Sequence, residues 1–600
     1  MKAIRPQTID KESEMRFVAL ATDYDNTLAS NGRVAESTWP VLERLRQSGR
    51  QLVLVSGREL GDLRTICPRL DLFSRVVAEN GGVLYRPDSG EKRLLAPPPP
   101  DAFVRALHER GLHDFSVSET LVATMKPNDG IALDAIRDLG LDLHVVFNGD
   151  AVMVLAPGVT KASGLAAALD ELGLSPLNVV GVGDAENDHP LLDACGFSAA
   201  VANALPMLKA HADMVTTGAA GRGVEELVAA LLEDDLASRA SRIDRSRVLL
   251  GQRTDGREAA SVSLDAYGTI ALLAGPSGGG KSTVTAALLE RLTTAGYQAC
   301  IFDPEGDYDN EGSLVSLGDA HTPPPMESAL HLLARPGQHV AVNLLRVPLN
   351  ERPRYCAGLL SRLQDLRVQT GRPHWLVFEE AHQLFPADWG MAAQALPIAL
   401  ETALAVTVHP DQIAEPFLRQ VNMALITGNK PSATVAAFAS TLGKPVPRLP
   451  LETDSLERGQ LLVWETQVSA SEPYLISVEP GTTQRRRHHR KYAEGLLIPE
   501  RSFYFRGPEG RLNLRAHNLV LFLEIADGVD SDTWRYHLQR GDYSRWFGDV
   551  IGDDELAREA QAIESERGLS VDETRGRIRA AIERRYTQPE NPSLPPLRGR

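Results

Sequence analysis

Two carboxylates, Asp23 and Asp25, stand two residues apart in Ala21-Thr22-Asp23-Tyr24-Asp25-Asn26-Thr27-Leu28. They follow an apolar run, Phe17-Val18-Ala19-Leu20, of the kind that forms a buried parallel strand. Alternation along such a strand brings both acids to one side of the turn at its C-terminal end, where open α/β sheets hold their ligands. One carboxylate so placed can attack phosphorus and form an aspartyl-phosphate. The other can exchange protons with the leaving group and then with water. An acidic surface turn has the same spacing, so the rest of the chain must decide between the two readings.

Three further stretches bear on that decision. Gln51-Leu52-Val53-Leu54-Val55-Ser56-Gly57-Arg58 reads as a second buried strand. It ends at Ser56, whose hydroxyl can bond a phosphoryl oxygen, and at Gly57, where the backbone can come close. Lys161, in Gly158-Val159-Thr160-Lys161, opens an amphipathic helix and offers an ammonium against carboxylate and phosphoryl charge. Val179-Val180-Gly181-Val182-Gly183 is again a strand, and Asp184 and Asp188 follow its glycine turn. Asp184 suits Mg²⁺, a hard cation that takes carboxylate and phosphate oxygens. Asp188 can reach the ion through water or hold Lys161. Between the second and third stretches, from about 85 to 155, shorter units and the run Pro97-Pro98-Pro99-Pro100 mark an inserted α+β lid.

In this order the pieces resemble the haloacid dehalogenase (HAD) superfamily, in its Cof-type and sucrose-phosphatase-like branch, over residues 15–235. That branch carries its cap between the second and third motifs, with Glu-Asn-Gly just before it, as at Glu79-Asn80-Gly81. The resemblance implies Asp23 as nucleophile, Asp25 as acid/base, and Ser56 and Lys161 as phosphate and charge stabilisers. It also implies Asp184 as metal ligand, with Asp23 and the backbone carbonyl of Asp25 sharing the Mg²⁺. The family mostly hydrolyses sugar phosphates and related small phosphomonoesters. The cap is shorter here than is usual for the branch, which leaves the substrate open.

A second phosphate-type loop lies in the middle of the chain. The strand Thr269-Ile270-Ala271-Leu272-Leu273-Ala274 runs into Gly275-Pro276-Ser277-Gly278-Gly279-Gly280-Lys281-Ser282-Thr283, a full G-x-x-x-x-G-K-[ST] loop. Gly275, Gly278, Gly279 and Gly280 let backbone N–H groups wrap phosphates, with Ser277 and Thr283 in the same loop. Lys281 reaches the β/γ oxygens of ATP, and Ser282 holds Mg²⁺. The strand Trp375-Leu376-Val377-Phe378 ends in two acids: Glu379 for the Mg²⁺ shell and Glu380 to orient or deprotonate water.

With Cys300-Ile301-Phe302-Asp303-Pro304-Glu305-Gly306-Asp307-Tyr308 and Leu249-Leu250-Gly251-Gln252-Arg253, this region resembles the additional-strand P-loop ATPases related to HerA, FtsK and conjugation ATPases. The resemblance, over 248–480, implies ATP binding and a homo-oligomer formed through this domain. Two departures stand out: Thr407-Val408-His409 where the family often has Thr-Gln, and Glu379 where Asp is more usual. Arg419 is the candidate arginine finger. The domain has no evident basic stripe, so DNA translocation is not favoured.

The remaining segments are simpler. Residues 236–247 are a polar Arg/Ser-rich linker, and the basic block 484–491 is a second linker or a nucleic-acid contact. Residues 492–587 resemble a small helical domain found beside sugar-related and phosphatase domains; 588–600 is a Pro/Arg-rich tail expected to be disordered. Trp534, Tyr536, Tyr543 and Trp546 are interleaved with Arg, which suits sugar or base stacking, although helical aromatic spacing is more often core.

At 600 residues the chain holds about three to five domains. A net charge of -16 argues against coating of nucleic acid, and four cysteines without metal-type spacing fit a reducing cytosol. No signal-like or membrane-length apolar run is present, so the expected location is cytoplasmic. The expected fold class is α/β: a HAD Rossmann-like core with an inserted α+β cap, a P-loop NTPase α/β domain and a small mostly helical C-terminal domain. The expected function is Mg²⁺-dependent hydrolysis of a small phosphomonoester, joined to an ATP-binding domain. The alternatives are a nucleic-acid motor with an end-processing phosphatase, and a kinase–phosphatase. The Glu379–Glu380 pair favours hydrolysis over the last of these.

Overall fold

Short apolar runs buried on both faces, such as Ala19–Thr22, Gln51–Val55 and Ile270–Ala274, form the centres of two large sheets in the computed structural model. The structure describes residues 15–240, 247–254, 260–308, 312–319, 321–388, 400–450, 455–457, 459–468, 471–478, 481, 497, 502–551, 553–566 and 568–586. The basic block 484–491, the tail 588–600 and residues 241–246 of the first linker lie outside the described residues.

The first sheet has eight strands in the order Met214–Val215, Phe197–Ala200, Val179–Gly183, Ala19–Thr22, Gln51–Val55, Arg75–Ala78, Val83–Tyr85, Lys92–Leu94. The first six run parallel, and the last two are added through antiparallel pairings. Thr22 is level with both Val182 and Leu54. The loops carrying Asp23, Asp184 and Ser56 therefore leave the sheet side by side.

Helices cover both faces, as a parallel sheet requires. On one side Gly221–Asp234 buries Val224, Leu227, Val228 and Leu231, a stripe at helical spacing. On the other, Lys161–Leu172 buries Leu165, Ala168 and Leu169. Thr160 caps that helix through the N–H of Ser163, and left-handed Gly173 ends it. Lys161 thus stands at a fixed helix start.

The inserted layer is a four-stranded antiparallel sheet, ordered His144–Asn148, Ala151–Leu155, Leu121–Met125, Phe115–Val117. The helices Asp101–Glu109 and Asp129–Leu139 pack Phe103, Leu107, Ala132 and Ala135 against it. The lid was expected to open near 85, but Lys92–Leu94 still belongs to the core sheet, because it folds back on Val83–Tyr85 as a hairpin.

Glu171 fastens the Lys161 helix to that sheet edge. Its side chain is 8% exposed and accepts from Arg75 Nε and Arg86 Nε, each at 2.8 Å, with Arg93 at 3.3 Å. The hydrogen bond from Arg86, then that from Arg75, outweighs desolvation and holds the carboxyl down at about 2, against an ordinary 4.5. A depressed acid contributes stability above its unfolded value and loses it as pH falls through the folded one. Glu171→Gln should therefore cost about 1–2 kcal/mol at neutral pH, after discounting for the partly exposed Arg86 and Arg93. Urea unfolding of both proteins should show that gap closing as pH drops from 4.5 towards 2; a gap independent of pH would contradict the assignment.

Among the described residues the second sheet has eleven strands. Seven are parallel, from Met423–Ile426 through Ile270–Ala274, Ala403–Thr407, Trp375–Phe378, Ala299–Asp303 and His339–Asn343 to Leu314–Leu317. Gln460–Glu465, Tyr474–Ser477, Arg247–Arg253 and Ser261–Asp265 extend it antiparallel.

In residues 502–586, a hairpin and a set of helices enclose an aromatic core. Trp534 stacks on Tyr543 at 4.5 Å and Phe522 on Trp546 at 5.3 Å, all buried, so these rings are spent on packing. Tyr536 lies beside His537 at 5.0 Å. The four cysteines are buried and none is in a disulfide. Among the described residues no helix is long and apolar enough to cross a membrane.

Candidate functional site

The level strand ends converge on one ammonium. Lys161 Nζ, fully buried, lies 2.6 Å from Asp23 Oδ1 and 2.6 Å from Asp188 Oδ1. The other oxygen of Asp188 accepts the N–H groups of Asp184 (2.8 Å) and Ala185 (3.0 Å). Both oxygens of Asp188 are thus engaged, which favours its holding of Lys161 over contact with an ion. Asp184 Oδ1 accepts from Thr27 Oγ1 at 2.8 Å. Gly183 is required here, since a Cβ would sit 2.5 Å from the Asp188 carboxyl carbon.

Asp25 lies at the rim, gripped by Arg58 through Nε (2.6 Å) and Nη2 (2.9 Å). Ser56 is buried; its N–H reaches Val77 O, and its hydroxyl accepts the N–H of Arg58 at 3.2 Å. The Glu79-Asn80-Gly81 turn joins the layers. Glu79 and Asn80 both take left-handed φ, 51° and 54°, strain of the sort stored at functional sites. The Glu79 carboxylate accepts from the N–H and Oγ1 of Thr120 in the cap, and Asn80 Oδ1 accepts from Asn187. At Gly81 a Cβ would fall 2.0 Å from Thr160 O, the residue that caps the Lys161 helix. The cap also reaches over the site: Met153 sulfur would be 3.3 Å from a Cβ on Gly57, and Gly149 N–H points at Glu186.

The electrostatics are unbalanced. Oxygens of Asp23, Asp184 and Asp188 lie within 4.8 Å of one another, so three buried carboxylates face one lysine. Burial raises Asp184 to about 6, with Asp188 adding to the shift and Thr27 opposing it. Asp23 is also raised, by burial first, then by Asp188 and Asp184, with Lys161 pulling the other way. Burial works against the charge of Lys161, but Asp188 and Asp23 hold it above the ordinary lysine value. A surplus of hard oxygen donors around a deficit of positive charge fits Mg²⁺.

Sequence reading named the acids, Ser56 and Lys161, and the structure brings Asp23, Asp184, Asp188 and Lys161 into one cluster. It assigned no role to Thr27, Arg58, Asn80 or Asn187. Thr27 had a signal, as the hydroxyl of Asp-x-Asp-x-Thr, and Arg58 stands next to Ser56-Gly57.

The second glycine loop has its own geometry. Gly275 lies against Thr427, where a Cβ would meet Thr427 O at 2.5 Å; Gly278 and Gly280 take φ of 77° and 92°. Lys281, at the helix start, donates to the carbonyls of Gly275 and Pro276, both at 2.9 Å. Its burial lowers its pKa, against the pull of Glu380, Glu379 and Glu305. Ser277 and Thr283 are exposed and Ser282 half-buried. Tyr308 donates to Glu379 at 2.7 Å, and Glu380 takes a left-handed φ of 44°. Thr407 Oγ1 lies 3.1 Å from His382 Nδ1 and accepts the N–H of His409. Arg419 pairs instead with Glu415 on the surface.

Residues 20–124 and 135–228 match the family of haloacid dehalogenase-like hydrolases. A phosphoglycolate phosphatase of Methanothermobacter thermautotrophicus is 33% identical over 219 residues, covering 35% of this chain and 96% of the relative. One of Methanoculleus marisnigri is 30% identical over 226 residues, covering 35% and 94%. A solved haloacid dehalogenase-like hydrolase of Bacteroides thetaiotaomicron is 19% identical with a TM-score of 0.32, covering 36% of this chain and 99% of that one. The chain belongs to the haloacid dehalogenase-like hydrolases through its first third. Within that family it carries a phosphatase domain, with the α/β core and the acidic cluster described above.

Proposed function

We propose that this chain hydrolyses a small phosphomonoester through an aspartyl-phosphate on Asp23, and binds ATP at the Gly275–Lys281 loop. The observation that carries the first part is Lys161 bridging Asp23 and Asp188 beside Asp184, at the ends of strands in level register. Asp23 attacks phosphorus; an O–P bond to Asp23 forms as the bond to the leaving oxygen breaks. Asp25, oriented by Arg58, gives a proton to that oxygen and then takes one from the water that cleaves the phosphoenzyme. Lys161 offsets the carboxylate charge throughout, and Ser56 stands beside the path to bond a phosphoryl oxygen. Mg²⁺ bound by Asp23, Asp184 and the Asp25 carbonyl would neutralise phosphoryl charge.

Phosphoglycolate is the first substrate to try, because the relatives are named for it; sugar phosphates come next. The ATP reading is supported by the strand–loop–helix setting of Lys281, the glycines with positive φ, and the acids at the end of Trp375–Phe378. Phosphate release from a phosphomonoester panel with Mg²⁺, with and without ATP, tests both parts. Asp23→Asn should lose at least about 10³-fold in ester hydrolysis while ATP binding persists. Lys281→Ala should do the reverse. No ester turnover by wild type, together with ATP hydrolysis stimulated by DNA, would replace this reading with the nucleic-acid motor.

A further inference from the structure

His189, Asp193 and His211 form a second cluster of ligand-type side chains. One ring nitrogen of each histidine and one carboxylate oxygen lie within 4.8 Å of one another. His189 and Asp193 are one turn apart on the helix His189–Ala194, and His211 is the last residue of the helix Pro206–His211. The two rings stand 4.8 Å apart, and His211 Nε2 contacts the Asp193 carboxylate. The Nε2 of His189 is buried and has no hydrogen-bond partner among the described residues. Asp193 and His211 are exposed, so an ion can reach the cluster from solvent. The carbonyls at the end of the His211 helix add partial negative charge.

We propose that these residues bind a divalent transition-metal ion of the Zn²⁺ or Co²⁺ class, with two imidazoles and one carboxylate as ligands and the remaining positions open to water. The donor set separates this site from the cluster of Asp23, Asp184 and Asp188, whose all-oxygen character suits Mg²⁺. Its placement has a consequence for that neighbour. His189 directly follows Asp188, the acid that holds Lys161. An ion bound here clamps the start of one helix to the end of the other, next to the phosphatase machinery.

The test is a Co²⁺ titration of the full chain in saturating Mg²⁺, followed by visible d–d absorption and competed with Zn²⁺. One equivalent should give the bands of a nitrogen-containing site. His211→Ala and Asp193→Asn should each weaken binding by at least about 10–100-fold. Asp184→Asn should keep the bands. The proposal fails if wild type gives no bands, leaving a surface His–Asp ion pair. It also fails if the bands survive in His211→Ala or vanish in Asp184→Asn. Because the readout is Co²⁺ absorption, an inactive phosphatase would not be mistaken for a missing site.

Discussion

Lys161→Met is expected to abolish ester hydrolysis and to lower stability by about 3–5 kcal/mol, the usual cost of removing one partner from a buried ion pair. Methionine fills much of the same volume, so the loss is one of charge rather than packing. It leaves Asp23 and Asp188 buried opposite Asp184 with their shared cation gone. Mg²⁺ should restore part of the stability, by supplying positive charge to the same carboxylates, without restoring turnover. Lys161→Met combined with Asp188→Asn should also regain stability, since one buried charge is removed, and should stay inactive. Urea unfolding in EDTA and in Mg²⁺, with phosphate release in parallel, separates these outcomes. A Lys161→Met protein as stable as wild type in EDTA would show that the ammonium does not balance this cluster.

Much of this site was legible in the chain because each piece follows a strand whose apolar run is unmistakable. Asp23, Ser56 and Asp184 are each set by where a buried strand ends, and local sequence marks that. Lys161 was legible as a helix start, and Thr160 is its cap. What sequence could not give is which side chains choose each other across the sheet. Asp188 offered two roles in the sequence; its engagement by Lys161 and two backbone N–H groups appears only in space. Arg58 looked like a residue after a glycine turn, and its grip on Asp25 depends on a partner 33 positions away. The lid boundary moved for a similar reason: Lys92–Leu94 is short and exposed, and its pairing with Val83–Tyr85 sets its layer. Of the aromatic residues interleaved with Arg near the C-terminus, Trp534, Tyr543 and Trp546 went into core, while Tyr536 stays half-buried beneath Arg540.

Arg372→Met should cost about 2–4 kcal/mol and split thermal unfolding into separate steps for the two sheets, while leaving phosphomonoester turnover within about twofold. Arg372 is fully buried, and its acceptors among the described residues are carbonyl oxygens. Nη1 reaches Gln298 Oε1 at 3.0 Å and Leu333 O at 3.3 Å; Nη2 reaches Ala334 O at 3.1 Å and, across the boundary, Gly173 O at 2.5 Å. Burial brings its pKa down to about 10, so it remains charged at neutral pH and uses that charge to bind carbonyls. Asn178 and His374 make the adjoining link at 3.0 Å, and Arg16 lies 3.8 Å over the Tyr267 ring. Removing the guanidinium strands buried acceptors on both sides, and the two sheets lose a fully buried tie.

Turnover should survive because of where this junction sits. Asn178 precedes the strand Val179–Gly183, and Asp184 follows it, about 20 Å away at about 3.3 Å per residue. His374 likewise precedes Trp375–Phe378, whose far end carries Glu379 and Glu380. The junction joins the N-terminal ends of the strands, while the acidic cluster and the Gly275–Lys281 loop lie at the C-terminal ends. Differential scanning calorimetry and phosphate release on Arg372→Met check this together. Two transitions with normal turnover would mean that the junction joins domains that work apart. A loss of turnover matching the loss of cooperativity would mean that the acidic cluster depends on the second sheet to hold the strand Val179–Gly183 in place.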